Sequence, residues 1–260
     1  MIQLDAIKNF YPPPLRENAL LWKYMLKEYI LIMILDYLSG SPWIRKLSFI
    51  GGTCIRLTKG IDRFSENLDF DCKDLSWDEF IDMTDGVIRY LRQNGLNVEA
   101  RDRDQSRLTA FRRNLVFPGF LHELGLSGHR EERFLIKIES EDQGVPYEPV
   151  MTNIKGCGFF FPFPLPPDGV LVAMKLGAML DRRKGRDFYD VLFLLSQSMP
   201  DFAFLQQKSN VDDLESLKTR AAHVLEQTNL AMKRRDFEHL LFNRDNSRRI
   251  LHLQAFIEGL

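Results

Sequence analysis

The chain has 260 residues, with 35 Lys+Arg against 36 Asp+Glu, a formal net charge of -1, and 45% hydrophobic and 27% charged residues. That is globular composition, which excludes a disordered or fibrous chain, and the length suffices for one large domain or two modest ones. The charge balance excludes a histone-like or polybasic protein, though a local basic patch remains open because a binding site responds to the local field.

Three cysteines (Cys54, Cys72, Cys157) are too few for a disulfide framework, and with five scattered histidines they show no zinc-ligand spacing. A reducing, cytoplasmic setting is therefore expected. The opening MIQLDAIKNFYPPPLREN carries Asp5 and lacks the apolar run of a signal peptide. The longest apolar stretch, around Tyr29–Leu35, is far shorter than the ~20 residues a bilayer span requires. The chain thus reads as soluble and intracellular, with no membrane partner.

In chain order, a helix is expected from about Glu17 to Leu38, where Leu21, Met25, Leu26, Tyr29, Met33 and Tyr37 recur at three- and four-residue steps. Ser39-Gly40-Ser41-Pro42 ends it. A short strand, Leu47–Ile50, runs into Gly51-Gly52-Thr53, and Cys54–Lys59 reads as a short helix. Asn67–Cys72 alternates polar and apolar, the period of a half-buried strand. Trp77–Gln93 is amphipathic, with Asp74 or Ser76 available as its cap. Leu96–Ala100, Leu108–Phe117 and Arg133–Ser140 read as strands, and Gly144–Pro167 as a strand plus loop. Helices are expected over Val170–Arg183, Asp187–Gln197 and Asp212–Gln227, with one or two more before Leu260. The fold class is therefore α+β: a mixed sheet with flanking helices over residues 1–167 and a helical lobe over 168–260.

The segment FIGGTCIRLTKGIDRFSENLDFDC carries the strongest chemical signal. Glycines let backbone N–H groups approach a phosphate, and the helix that follows adds a favourable dipole. Thr53 offers a hydroxyl. Asn67, Asp69 and Asp71 share one strand face, with Leu68 and Phe70 on the other. Hard Mg²⁺ takes a few carboxylates together with phosphate oxygens, so a phosphate cradle beside paired acids is equipment for phosphoryl or nucleotidyl transfer. A glycine turn alone, or two acids near a strand end alone, would read as ordinary structure. Their combination in this order favours chemistry. No Walker GxxxxGK[ST] occurs.

At these residues the chain resembles the nucleotidyltransferase superfamily that includes DNA polymerase β, and within it the AbiEii/AbiGii toxin branch. The resemblance rests on Gly51-Gly52-Thr53 and on the Arg63-Phe64-Ser65-Glu66-Asn67-Leu68-Asp69 element. It extends to Glu139 behind Lys137, to the Lys175, Ala178, Arg182 helix, and to Arg186, Asp187 and Asp190. It implies a nucleotidyltransferase-like fold, Mg²⁺ or Mn²⁺ as cofactor, a nucleoside triphosphate as substrate, RNA or tRNA as a plausible acceptor, and a separate antitoxin protein. On it, Asp69, Asp71 and Glu139 are the catalytic acids, with Asp69 and Asp71 holding metal. Gly51, Gly52, Thr53, Arg63, Ser65, Lys175 and Arg182 contact nucleotide, and Lys137, Asp187 and Asp190 support them. The branch has aspartate where this chain has Asn67, so a catalytically weak nucleotide- or RNA-binding module is the alternative.

Several candidates keep two readings. Glu139 is a third carboxylate or part of an ordinary charged surface strand. Lys175 reaches a triphosphate or runs its stem along the helix to solvent. Asp187 sits where it would stabilise a helix N-terminus. Asp190, deeper in an apolar helix, needs a cation such as Lys175 or Arg182 and orients a basic side chain rather than binding metal. The run Arg182-Arg183-Lys184-Gly185-Arg186 meets phosphates or forms a solvated turn.

Overall fold

The computed structural model describes residues 3–101 and 110–260. These fall into two compact units, one comprising Met1–Lys59, Phe64–Gln143 and Met151–Leu165, the other Gly60–Arg63, Gly144–Val150 and Pro166–Leu260.

The first unit begins with short helices α1 (Leu4–Lys8) and α2 (Pro13–Arg16), then the long α3 (Trp22–Ser39). Next come β1 (Leu47–Ile50), α4 (Gly51–Lys59), β2 (Asn67–Cys72) and α5 (Trp77–Gln93). They are followed by β3 (Glu99–Arg101), β4 (Phe111–Val116), α6 (Phe120–Glu123), β5 (Leu135–Glu141), β6 (Val150–Gly156) and β7 (Phe159–Leu165). The strand expected over Leu108–Phe117 is seen from Phe111 to Val116, and Leu108 lies outside the described residues. The main sheet has the order β1-β2-β5-β4-β3, and β6-β7 form a separate two-stranded sheet. Among the described residues of the main sheet, β2–β5 pair in parallel and the other neighbours antiparallel. This is the mixed sheet with flanking helices that the sequence leads one to expect.

Alternation splits β2 cleanly. Leu68 and Phe70 are buried, and Phe70 packs with Phe49 of β1 and Phe163 of β7, each pair of rings 5.9 Å apart. Ile136 and Ile138 of β5 and Leu115 of β4 complete the apolar face. Helix α5 is capped by Ser76, whose hydroxyl accepts from the Glu79 N–H while Glu79 accepts from the Ser76 N–H, a reciprocal capping box. Of the two caps available in the sequence, Ser76 is therefore the one used.

Helix α3 is buried on nearly every side, from Ile30 through Leu35, as the core helix of a packed layer must be. Its one buried acid, Glu28, accepts from the Tyr11 hydroxyl at 3.0 Å and pairs with Arg56 of α4 at 2.8 Å. Burial first, then the Glu28 charge, pushes the Tyr11 phenol far above its ordinary range, so it remains a donor. This network ties the helix that follows the glycine turn to the central helix of the unit.

The second unit holds α7 (Asp168–Asp181), α8 (Gly185–Leu195), α9 (Phe202–Ser209), α10 (Leu214–Glu226), α11 (Leu230–Lys233) and α12 (Leu253–Glu258), with 3₁₀ segments between α11 and α12. The returning C-terminal segment is tied to residues 60–63: the Phe242 N–H donates to the Asp62 carbonyl at 3.0 Å, and Arg63 bridges Leu241. Among the described residues, no helix is long and apolar enough to cross a membrane.

Truncating Arg56 leaves Glu28 buried without its counter-charge. Arg56→Ala is expected to cost about 3 kcal/mol, read as a lower urea midpoint. An unchanged midpoint would show that Glu28 reaches solvent.

Candidate active site

The site of the first unit starts where β1 becomes α4. Gly51 has φ +81°, the left-handed region, and a Cβ placed there would stand 2.2 Å from Asp69 Oδ2 and 2.8 Å from Asp69 Cβ. Residue 51 is glycine for two independent reasons, backbone hand and the space taken by the Asp69 side chain. The antiparallel register explains the approach, since Ile50 is paired with Asp69 and the chain turns immediately after. A carboxylate at the start of a helix also meets the positive end of its dipole. Thr53 is 1% exposed, and its Oγ1 donates to the Asn67 carbonyl, pinning the first turn of α4 to the start of β2. Gly52 is buried in the same turn, and Ser65 is buried just before β2.

The polar face of the sheet carries the acids. Asn67, Asp69 and Asp71 of β2 lie in register with Lys137, Glu139 and Glu141 of β5, so Asp69 and Glu139 are side by side. Glu139 is paired across β4 with Arg112, whose Nε lies 2.5 Å from Oε1 and whose Nη2 meets the same oxygen. The Lys137 ammonium stands 3.4 Å from Glu139 Oε2. Asp71 is different. It is buried, its register partner on β1 is Ser48, and its Oδ1 accepts from the Gln143 N–H at 2.9 Å. The structure thus brings Asp69 and Glu139 together beside Gly51, with Asn67 on one side, and sets Asp71 one step farther along β2.

Among the described residues, no group of three or more His, Cys, Asp or Glu side chains is arranged to hold a metal ion. Asp69 and Glu139 on neighbouring strands are nonetheless hard oxygen donors. One or two carboxylates, completed by phosphate oxygens and water, is the protein share of an ordinary Mg²⁺ site. The donor set fits at that lower count.

The second unit holds the other candidates in buried ion pairs. Arg63, 1% exposed, grips Asp190 with two parallel bonds, Nε to Oδ1 and Nη2 to Oδ2, each 2.7 Å. Lys175 Nζ adds a contact to Asp190 Oδ2 at 2.9 Å. Burial alone would raise the Asp190 pKa, but the Arg63 and Lys175 charges outweigh it and hold the carboxyl below the usual range. Arg182 makes a similar fork to Asp187, with bonds of 2.9 and 2.7 Å, and Asp187 also accepts from the Lys184 N–H at 3.1 Å. Lys175 and Arg182 therefore serve different aspartates although they share a helix stripe. Beside them Asp62 accepts from the Tyr189 hydroxyl and from Asn246 Nδ2, both at 2.6 Å.

Sequence reasoning missed Arg112 and the true partner of Arg63. Arg112 carries no local signal, because only the β4–β5 register places it opposite Glu139. For Arg63 a signal existed: one aspartate deep in an apolar helix demands cationic partners, and a buried carboxylate has room for two.

A family model described as nucleotidyl transferase AbiEii toxin, type IV toxin–antitoxin system, matches residues 34–252. No curated protein matches the chain. Among solved structures, MenT4, a nucleotidyltransferase toxin of Mycobacterium tuberculosis, is similar with a TM-score of 0.55 at 14% identity, covering 99% of each chain. JHP933 of Helicobacter pylori is similar with a TM-score of 0.54 at 17% identity, covering 91% of this chain and 92% of that one. At these identities the likeness is one of fold.

Two substitutions test the geometry. Gly51→Ala must displace the Asp69 side chain and strain the turn, at a cost of about 1–2 kcal/mol from the left-handed backbone alone, seen as a fall in Tm. Asp190→Ala removes the buried carboxylate that Arg63 and Lys175 share and is expected to cost about 3–5 kcal/mol. A denaturant midpoint within error of wild type would contradict the buried triad.

Proposed function

This chain belongs to the AbiEii nucleotidyl transferase toxin family, and from that premise we propose that it moves a nucleotide from a nucleoside triphosphate to an acceptor, using Mg²⁺ or Mn²⁺ at Asp69. The single observation that carries the reading is the approach of the Asp69 carboxylate to Gly51, which joins the acidic strand to the start of a helix. Glycine-turn amides at Gly51–Thr53 would hold phosphate oxygens. Glu139, in register beside Asp69, is the second acid of the site. Asp71, expected from the sequence as a metal partner, is assigned instead to fixing the loop through the Gln143 N–H.

A divalent cation bound here supplies Lewis-acid charge, activating the attacking oxygen and neutralising the leaving pyrophosphate. The chain's own task is to orient and to accept a proton. A bond forms from the acceptor oxygen to the α-phosphorus as the bond to the pyrophosphate oxygen breaks, and the acceptor proton passes to a carboxylate such as Glu139. The parts expected of Lys175 and Arg182 rest on the family resemblance; within their own unit each holds a buried aspartate. RNA or tRNA as acceptor, an antitoxin protein as partner and a cytoplasmic location are proposals on the same footing.

Asn67 favours a second reading. An amide oxygen is a neutral ligand where the branch carries a carboxylate, so a nucleotide-binding module of low activity fits the same fold. Purified protein incubated with labelled nucleoside triphosphates, Mg²⁺ or Mn²⁺ and total RNA separates the two. Transfer of label that stops with a chelator and with Asp69→Asn, and that rises with Asn67→Asp, is the expected result. Nucleotide binding without transfer, indifferent to metal and to Asp69→Asn, would establish the second reading instead.

A further inference from the structure

Arg112 belongs to none of the motifs that point to nucleotidyl transfer, yet it ends a row that begins at the glycine turn. Ile50, Asp69, Glu139 and Arg112 are paired in succession across β1, β2, β5 and β4. Directly paired residues share a sheet face. Arg112 takes Glu139 Oε1 and Lys137 approaches Oε2, so each oxygen of this carboxylate already faces a cation. Arg112 and Lys137 offset part of the charge of Asp69 and Glu139, Asn67 adds none, and Asp71 and Glu141 lie one step farther along the same face. Affinity for a hard divalent ion grows with the net negative charge of its ligands. A bare ion therefore meets carboxylates whose pull Arg112 and Lys137 weaken.

We propose that Arg112 is a positioning residue: it holds Glu139 as an internal counter-ion in the nucleotide-free protein, and hands its guanidinium to phosphate oxygens when a metal–nucleotide complex enters. Glu139 is released to the metal or the acceptor proton in the same exchange. The inference rests on the nucleotidyl-transfer reading above. Arginine suits the exchange because its planar fork matches carboxylate and phosphate alike. Two strand spacings, about 10 Å, separate the Arg112 and Asp69 backbones, and a long side chain and a polyphosphate can bridge that gap together. The contact is also accessible: the side chains of Arg112 and Glu139 are 36% and 20% exposed. The pair can therefore open without unpacking the core. A cross-strand ion pair this open to water adds little to stability, so loss of Arg112 leaves the fold intact.

The test is Mn²⁺ binding by the full chain, followed by the electron-paramagnetic-resonance signal of free Mn²⁺, with and without a non-hydrolysable nucleoside triphosphate analogue. Without the analogue, Arg112→Gln should bind Mn²⁺ about tenfold more tightly than wild type, and with it should hold the analogue less tightly. Arg112→Lys, which keeps the charge and loses the fork, should fall between them. Mn²⁺ affinity within about twofold of wild type in Arg112→Gln, in a protein whose binding is lost in Asp69→Asn, would overturn the counter-ion role and leave the transfer reading standing. Absence of Mn²⁺ binding in wild type under both conditions would overturn both.

Discussion

The side chain that residue 51 lacks is the constraint on which the site depends. Asp69 fills the volume a Cβ would need, so the acidic strand and the first turn of α4 meet directly. Everything around that contact secures it. The β1–β2 register brings the turn to Asp69 and not to Asp71. The Thr53 hydroxyl fixes the helix start to the Asn67 backbone. Arg56, one turn on, anchors the helix to Glu28 within the core. Three short-range devices thus hold one carboxylate at one helix terminus, and each would be of little consequence without the others.

Local order was legible where it is set by local chemistry. The strand Asn67–Cys72 and the helix Trp77–Gln93 follow from two-residue alternation and from a reciprocal cap, and both lie where the sequence puts them. The pattern of Gly144–Pro167 announced a strand but concealed a hairpin, because the turn at Cys157 and Gly158 adopts positive φ with only one glycine to advertise it. Helix Phe202–Ser209 went unread although Asp201 caps it, since two turns give too little periodicity to count. What a sequence hides most is register. Two acids at alternate positions look equivalent along β2, and only the partners on β1 and β5 distinguish Asp69, beside the turn, from Asp71, whose Oδ1 accepts from the Gln143 N–H. The same blindness concealed Arg112.

The near-zero net charge takes on a different meaning once partners are known. Along the sequence, acids cluster around Asp69 and Glu139 and bases around Lys175–Arg186. In the structure much of that charge is used pairwise: Glu28 with Arg56, Asp187 with Arg182, Asp190 with Arg63 and Lys175. Buried carboxylates retain their charge only where such partners outweigh desolvation, and Asp190, fully enclosed and still held below the ordinary range, shows the balance being met. These pairs specify which segments meet. Residues 60–63 are committed to α8 through Arg63 and to the returning chain through Asp62, a chemical address written in two adjacent positions.

Asn67 separates fold from chemistry in the same way. The contact that needs this residue in place is made by its carbonyl, which Thr53 holds whatever the side chain is. Exchanging a carboxylate for an amide there leaves the turn, the register and the approach of Asp69 untouched. What changes is the charge of the polar face, where Asp69, Asp71, Glu139 and Glu141 remain and Arg112 and Lys137 oppose Glu139. A site of that charge relies more on ligands that arrive with the substrate, because phosphate oxygens must supply the negative charge that the strand does not. In the proposed transfer the departure at Asn67 and the cations on Glu139 therefore act in the same direction: both would shift the holding of a divalent ion from the protein toward the nucleotide.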